Sequence, residues 1–195
     1  MTIETRRATA DDIPHLARFL IAAAGGYIEI FYDGLAPDRS LESPVEPQFA
    51  VPSTVPFYEN HWVAVCDGRV AGGIHAFPFE DVANFPEDPL VPKERYAMVT
   101  EMYDCLAAPG TYHVYVLAVY PGFHGKGVGS TLLSLGLQHA AENGFGECSL
   151  HVFAENVAAV TLYEKYGFKE AGRYPVTQHP LFYHPGDIIL MTCAV

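Results

Sequence analysis

A glycine-rich turn in the second half of the chain has the residue types and spacing of an anion-binding site. Residues 123–129 read FHGKGVG and are followed at once by an amphipathic segment. Alternating glycines allow the backbone to approach a ligand closely. Free N–H groups at a helix N-terminus, together with the helix dipole, favour an anion. The turn therefore predicts a phosphate site, with candidate contact residues His124, Gly125, Lys126, Gly127, Val128, Gly129 and Ser130.

Two common phosphate-binding motifs do not fit this turn. A Walker loop requires Gly-Lys followed by Ser or Thr, whereas Lys126 is followed by Gly127. The dinucleotide motif G-x-G-x-x-G fails because Ser130 stands where its last glycine should fall. A generic nucleotide-binding domain is therefore disfavoured. Taken alone, the turn is equally compatible with a plain helix N-terminus that follows turn glycines.

A second pattern lies downstream of the turn. It begins at Asn156, has Ala159 three residues on, and continues as Leu-Tyr-Glu-x-x-Gly-Phe over residues 162–168. Together, the two patterns resemble the GNAT superfamily of acetyl-CoA-dependent N-acetyltransferases. The glycine turn of that family reads Arg/Gln-x-x-Gly-x-Gly/Ala, so both glycine places match here and His124 departs from the pattern. A histidine can still place a donor near phosphate, with a charge that depends on pH.

The resemblance covers nearly the whole chain and implies a fold and a co-substrate. The fold would be α/β (α+β), with a mixed, mostly antiparallel central sheet of about seven strands flanked by helices. The fourth and fifth strands would be splayed apart, within a single domain of residues 1–195. The co-substrate would be acetyl-CoA, whose pantetheine arm pairs with backbone groups of Leu117, Ala118 and Val119. Either Leu117 or Ala118 would donate its N–H to the oxyanion, and Asn156 and Ala159 would lie near the cofactor.

Amide formation from a thioester needs a neutral amine, an oxyanion donor and an acid for the departing thiolate. The resemblance assigns the acid to Tyr163, whose ordinary pKa of about 10 lies above that of a thiol. The alternative for Tyr163 is an amphipathic core tyrosine. His113 stands where histone-acetylating relatives carry a glutamate, so it is a candidate base, or else a half-exposed strand histidine. His151 is the other candidate base.

Substrate contacts are less defined by the sequence. Glu101 and Asp104 could bind a cationic substrate, or they could belong to a solvated helix face. Aromatic residues near the first helix and the next proline-rich segment could line a pocket, although core packing would produce the same clustering. These residues are Tyr27, Phe31, Tyr32, Phe57 and Tyr58. The acceptor is expected to be a small-molecule or peptide amine.

Composition limits the partners. The net charge of −12 over 195 residues argues against nucleic acid or an anionic membrane as a partner. The four cysteines form no C-x-x-C pair and the nine histidines show no metal-ligand spacing, so we expect a cytoplasmic protein without a metal. No apolar run is long enough to span a bilayer. The sequence is compatible with a homodimer and does not predict the oligomeric state.

Hydrophobic periodicity, turn residues and caps predict the order of the elements. The predicted strands are 3–7, a hairpin of 62–66 and 70–77, 112–119, 148–153, 171–175 and 187–194. The predicted helices are 10–24, 27–35, 93–106, 127–142 and 156–166, the last capped by Asn156 and Gly167. Residues 37–56 are predicted to be a long proline-rich loop.

Two functions therefore fit the sequence. The first is an N-acetyltransferase that acts on a small amine or a protein amine, which the intact tyrosine motif favours. The second is a catalytically silent acyl-CoA-binding or sensor module of the same fold, which the departure at His124 leaves open.

Overall fold

The computed structural model describes residues 2–35 and 40–195. Seven strands form one sheet: β1 (Ile3–Arg7), β2 (Trp62–Cys66), β3 (Arg69–Pro78), β4 (Tyr112–Val119), β5 (Glu147–Phe153), β6 (Lys169–Tyr174) and β7 (Ile188–Ala194). The α-helices are α1 (Ile13–Ala23), α2 (Tyr27–Tyr32), α3 (Glu42–Val45), α4 (Lys93–Cys105), α5 (Val128–Glu142) and α6 (Val157–Lys165).

The strand order is β1-β2-β3-β4-β5-β7-β6, and every neighbouring pair except β4–β5 is antiparallel. The parallel pair β4–β5 is short: its last matched residues are Val114 and Leu150. Beyond that point β4 continues along β3, and β5 continues along β7. The two strands therefore part in the middle of the sheet, which confirms the expected fold class with its splayed fourth and fifth strands.

A β-bulge interrupts β4 at the same point. His75 of β3 pairs with Val116, but Ala76, the next residue of β3, pairs with Val114, so Tyr115 is an extra residue on β4. As a result, Tyr115 and Val116 both pack on the α1 face of the sheet. The bulge shifts the side-chain alternation of β4 by one residue.

Helices cover both faces of the sheet. On one face, Leu132 and Leu133 of α5 are fully buried against Val114 and Leu150. On the other face, α1 buries an apolar stripe against Val116 and Ala118, at the helical spacing seen in its sequence. The β4–β5 opening therefore lies between two well-packed layers.

Most predicted elements are confirmed, and two differ. The predicted helix 27–35 is shorter, since α2 ends at Tyr32. The predicted loop 37–56 is wrong over much of its described part, because α3 and a short 3-10 helix, Glu46–Ala50, occupy it. Residues 37–39 of that prediction lie outside the described residues. Within residues 2–35 and 40–195, no helix is long and apolar enough to cross a membrane.

Candidate active site

The opening between β4 and β5 exposes a row of backbone groups of β4. Tyr120 donates its N–H to Ala71 of β3, and backbone direction alternates along an antiparallel pair. Ala118 therefore directs its N–H and C=O to β3, whereas Leu117 and Val119 direct theirs to the opening. The expectation for Ala118 is corrected by this geometry. Of the two candidate oxyanion donors, the N–H of Leu117 lies on the correct side.

The glycine turn lies at the far end of this opening. Gly127 has a φ of 87° immediately before α5, a conformation that side-chain-bearing residues rarely adopt. No side chain of the described residues caps α5, so the N–H groups of Val128, Gly129 and Ser130 have no helical acceptor. Gly129 also allows close packing, because a Cβ there would lie 3.3 Å from Leu162 of α6. The turn therefore presents unpaired donors at a positive helix terminus, as an anion site requires.

Two side chains of the turn donate hydrogen bonds to backbone carbonyls just before it. His124 is exposed, and its Nε2–H donates to the Val119 carbonyl at 2.8 Å, since a carbonyl can only accept. This bond ties the turn to the edge of the opening. Lys126 donates its Nζ to the Gly122 carbonyl at 2.8 Å. Its ammonium group lies 5.5 Å from the Phe123 ring centroid.

Helix α6 borders the same opening. The Asn156 side chain accepts a hydrogen bond from the Ala159 N–H at 3.3 Å, which confirms Asn156 as its N-cap. Tyr166 joins α6 to α5, because its hydroxyl donates to the Ser130 carbonyl at 3.1 Å. The second sequence pattern thus fixes one helix beside the N-terminus of another.

Tyr163 points from α6 into the core under α5. It is 8 % exposed, and its ring centroid lies 5.8 Å from that of Phe168. Burial raises the pKa of its phenol to about 12. In the part of the chain that the structure describes, no protein group pairs with its hydroxyl. Tyr163 is therefore a protonated, unpaired donor at neutral pH.

His113 is buried rather than half-exposed, with only 1 % of its surface exposed. A hydrogen-bond relay fixes its tautomer. The Thr111 hydroxyl donates to the Ala108 carbonyl at 2.7 Å, so the Ser149 hydroxyl donates to Thr111 at 2.6 Å. Ser149 must then accept from the Nδ1–H of His113 at 2.8 Å. Burial holds the pKa of His113 well below its ordinary value, so the ring is neutral with its lone pair on Nε2.

His151 lies beside His113, with ring centroids 5.0 Å apart. Its Nε2–H donates to the Leu106 carbonyl at 2.9 Å, while its buried Nδ1 has no partner among the described residues. Burial lowers the pKa of His151 to about 4. Both candidate bases are therefore neutral, and the same burial makes each a weak proton acceptor.

A cavity of about 1000 Å³ lies on the opposite side of β4 from α5. It reaches β4 at Tyr115 and extends between α2, α3 and α4. Phe31, Tyr32 and Asp104 line it, as the sequence suggested for a substrate pocket. The other candidates do not line it: Tyr27, Phe57, Tyr58 and Glu101. Tyr27 packs instead against Phe153 and Phe182 in the core.

The sequence did not identify several residues of this cavity. Phe79, Phe85, Asp88, Tyr96 and Tyr103 all come from the stretch between β3 and β4. The aromatic residues of that stretch were the sequence feature that could have indicated its place in the cavity. Within the described residues 2–35 and 40–195, no cluster of three or more His, Cys, Asp or Glu side chains could hold a metal ion.

Comparison with known proteins adds to this geometry. A mycothiol acetyltransferase from Streptomyces scabiei is 47 % identical over 62 residues, which are 32 % of this chain and 20 % of that protein. The matched segment thus spans about a fifth of the length of this relative.

Solved structures resemble the chain over nearly its full length. One acetyltransferase structure has a TM-score of 0.70 at 22 % identity and covers 98 % of this chain and 99 % of its own. An N-acetyltransferase from Staphylococcus aureus Mu50 has a TM-score of 0.69 at 19 % identity, over 97 % and 100 %. At these identities the likeness concerns the fold. The family model described as Acetyltransferase (GNAT) family matches residues 28–168. The chain therefore belongs to the GNAT acetyltransferase family.

Proposed function

We propose that this protein transfers the acetyl group of acetyl-CoA to a primary amine of a small molecule. The observation that carries the proposal is the parting of β4 and β5 directly beside the uncapped N-terminus of α5. The names of the relatives, mycothiol acetyltransferases, support a small molecule as the acceptor. The sequence prediction of a peptide amine receives no such support.

The residues around the opening fit acetyl-CoA. Backbone groups of Leu117 and Val119 face the opening and can pair with an extended polyamide arm. The free N–H groups of Val128, Gly129 and Ser130 can hold a pyrophosphate. Asn156 and Ala159 form the adjacent start of α6. When bound, acetyl-CoA supplies an acyl group already activated as a thioester.

Groups of the chain itself then assist the transfer of the acyl group to the amine. A bond forms between the amine nitrogen and the acyl carbon, and the bond from that carbon to sulfur breaks. The N–H of Leu117 can donate to the acyl oxygen. Tyr163 can donate its proton to the departing sulfur. Its phenol is protonated at working pH, and burial, which raises its pKa to about 12, makes it a weaker acid than a free tyrosine.

The proton that leaves the amine needs an acceptor, and we assign this role to His113. Its Nε2 carries the lone pair, because Nδ1–H is committed to Ser149. Its lowered pKa means that it accepts a proton poorly. Because the ring is buried, we propose that the proton reaches it through water. His151, with a pKa of about 4, is the alternative base.

The proposal is tested by the release of free CoA thiol from acetyl-CoA in the presence of pooled primary amines. Tyr163→Phe should bind CoA normally by calorimetry and lose roughly 10²–10⁴-fold in rate, as expected for a lost general acid. Tyr112→Phe is the matched control, because Tyr112 is a half-buried tyrosine on β4 that packs against Phe145.

Three outcomes separate the interpretations. Thiol release that depends on Tyr163 supports the transferase. CoA binding with no release for any amine would favour the silent acyl-CoA-binding module instead. Full activity of Tyr163→Phe would remove the proposed acid while leaving the transferase in place.

A further inference from the structure

The cavity beside β4 is lined by aromatic, aliphatic and proline side chains. Its aromatic lining consists of Phe31, Tyr32, Phe79, Phe85, Tyr96, Tyr103 and Tyr115. Two further lining residues are unusually exposed for apolar side chains: Leu90 by 63 % and Val51 by 48 %. Exposed apolar surface around a concave site marks a place where an apolar ligand body can be removed from water.

The charges along the same walls are negative. Glu80, Glu87, Asp88 and Asp104 line the cavity, and among the described residues no lysine or arginine does. Asp88 is held in place, because it accepts hydrogen bonds from the Tyr32 hydroxyl at 2.6 Å and from the Leu90 N–H at 2.8 Å. Carboxylates so placed attract a cation and repel an anion.

The cavity also reaches the place where acyl transfer is proposed. Tyr115, its contact on β4, directly follows Val114, the last residue of β4 paired to β5. Tyr103 lines the cavity, and its ring centroid lies 4.8 Å from that of His151 and 6.1 Å from that of His113. In the described part of the chain, neither the Tyr103 nor the Tyr115 hydroxyl has a protein partner. Two tyrosines of the cavity lining thus lie close to the candidate bases.

We propose that this cavity binds the acceptor, and that the acceptor is a small primary amine on a long apolar or aromatic body without a negative charge. The inference rests on the proposed function and narrows its substrate class. The apolar walls hold the apolar body, and the carboxylates draw in the ammonium form. The amine end then lies towards Tyr115 and the opening.

The first test compares three amines in the thiol-release assay with the full chain. Phenethylamine should have a kcat/KM at least about tenfold above phenylalanine, which adds a carboxylate to the same skeleton. It should exceed glucosamine, which has a polar body, by a similar factor. If phenylalanine or glucosamine is used equally well or better, this inference is overturned while the proposed function stands.

If no amine releases thiol although acetyl-CoA binds, the proposed function fails. Calorimetry then decides the cavity assignment by itself: phenethylamine should bind and phenylalanine should not. Equal binding of both amines, or binding of neither, would refute the assignment.

A pair of variants on α4 tests whether the cavity carboxylates attract the amine. Asp104→Asn should raise the KM for phenethylamine about three- to fivefold with little change in kcat, the size of one exposed ionic contact. Glu101→Gln is the control, since it makes the same change in charge on the same helix outside the cavity. An equal rise in KM for both variants would mean that the net charge of the protein, and not the cavity, attracts the amine.

Discussion

Four buried histidines should make the protein unstable in mild acid. His61, His75, His113 and His151 are largely buried, and burial lowers the pKa of each. The pKa falls to about 3 for His61 and to about 4 for His151. In the unfolded chain a histidine has a pKa of about 6.5. As pH falls below that value, the unfolded state therefore binds protons that the folded state does not, and stability is lost.

The magnitude follows from proton linkage. Each neutral buried histidine costs about 1.4 kcal/mol of folding free energy per pH unit once the unfolded form is protonated. Four such residues remove about 5 kcal/mol between about pH 7 and pH 5.5, which is comparable with the whole stability of many domains. Urea unfolding followed by circular dichroism at these two pH values measures the loss directly.

A variant of His75 tests the origin of the effect. His75 stacks on His61 with ring centroids 3.9 Å apart, and its buried Nε2 has no partner among the described residues. His75→Phe keeps a ring and should reduce the pH slope by about 1.4 kcal/mol per pH unit. His124→Gln, at an exposed position, should leave the slope unchanged. A total loss below about 1.4 kcal/mol, or an unaltered slope in His75→Phe, would refute the reasoning.

Two further predictions concern the binding turn and the base. Gly127→Val should weaken CoA binding at least about tenfold by calorimetry, because a β-branched residue resists a φ of 87°. Gly144→Val, with a φ of 81° at the other end of α5, is the control for general strain, and an equal loss there would disprove a specific role. His113→Gln should slow turnover near neutral pH and recover at alkaline pH, where the amine is already neutral. If His113→Gln slows turnover equally at every pH, or not at all, His151 or an ordered water is the base instead.

Local signals predicted the elements around the opening. The strand Tyr112–Val119 has the predicted bounds, and α5 begins one residue after the predicted position because Gly127 is its N-cap. Asn156 caps α6 as its sequence pattern indicated. These features depend on glycine conformations, caps and short-range periodicity, which neighbouring residues determine. The assignment of Tyr163 and the turn to catalysis and CoA binding remains a proposal, as do the homodimer and the cytoplasmic location.

The burial of His113 and the lining of the cavity depend on packing between residues that are distant in the sequence. His113 was a candidate base with a half-exposed strand histidine as the alternative, because alternation along one strand does not reveal what covers it. In the structure, Phe79 and Tyr103, from the stretch between β3 and β4, pack against its ring. The same stretch supplies much of the cavity wall. Of the aromatic residues weighed between pocket lining and core packing, Tyr27 lies in the core, and neither Phe57 nor Tyr58 lines this cavity. Neither the burial of His113 nor the composition of the cavity wall can be predicted from a pattern of neighbouring residues.

The bulge at Tyr115 explains how one strand can serve both the opening and the cavity. Before the bulge, Tyr112 and Val114 are matched to β5 residues, and after it Leu117 and Val119 direct their backbone groups to the opening. The extra residue also places Leu117 and Val119 side chains on the α5 face, where the glycine turn and α6 lie.

If the same residues formed a strand without the bulge, strict alternation would direct the Leu117 and Val119 side chains at α1. Val116 and Ala118 pack there instead, against the fully buried Ala17. Tyr115 is then left on the cavity side at the level where β5 departs. The bulge therefore places an unpaired strand edge and the cavity on the two sides of one strand, an arrangement that fits the acyl transfer to an apolar amine proposed above.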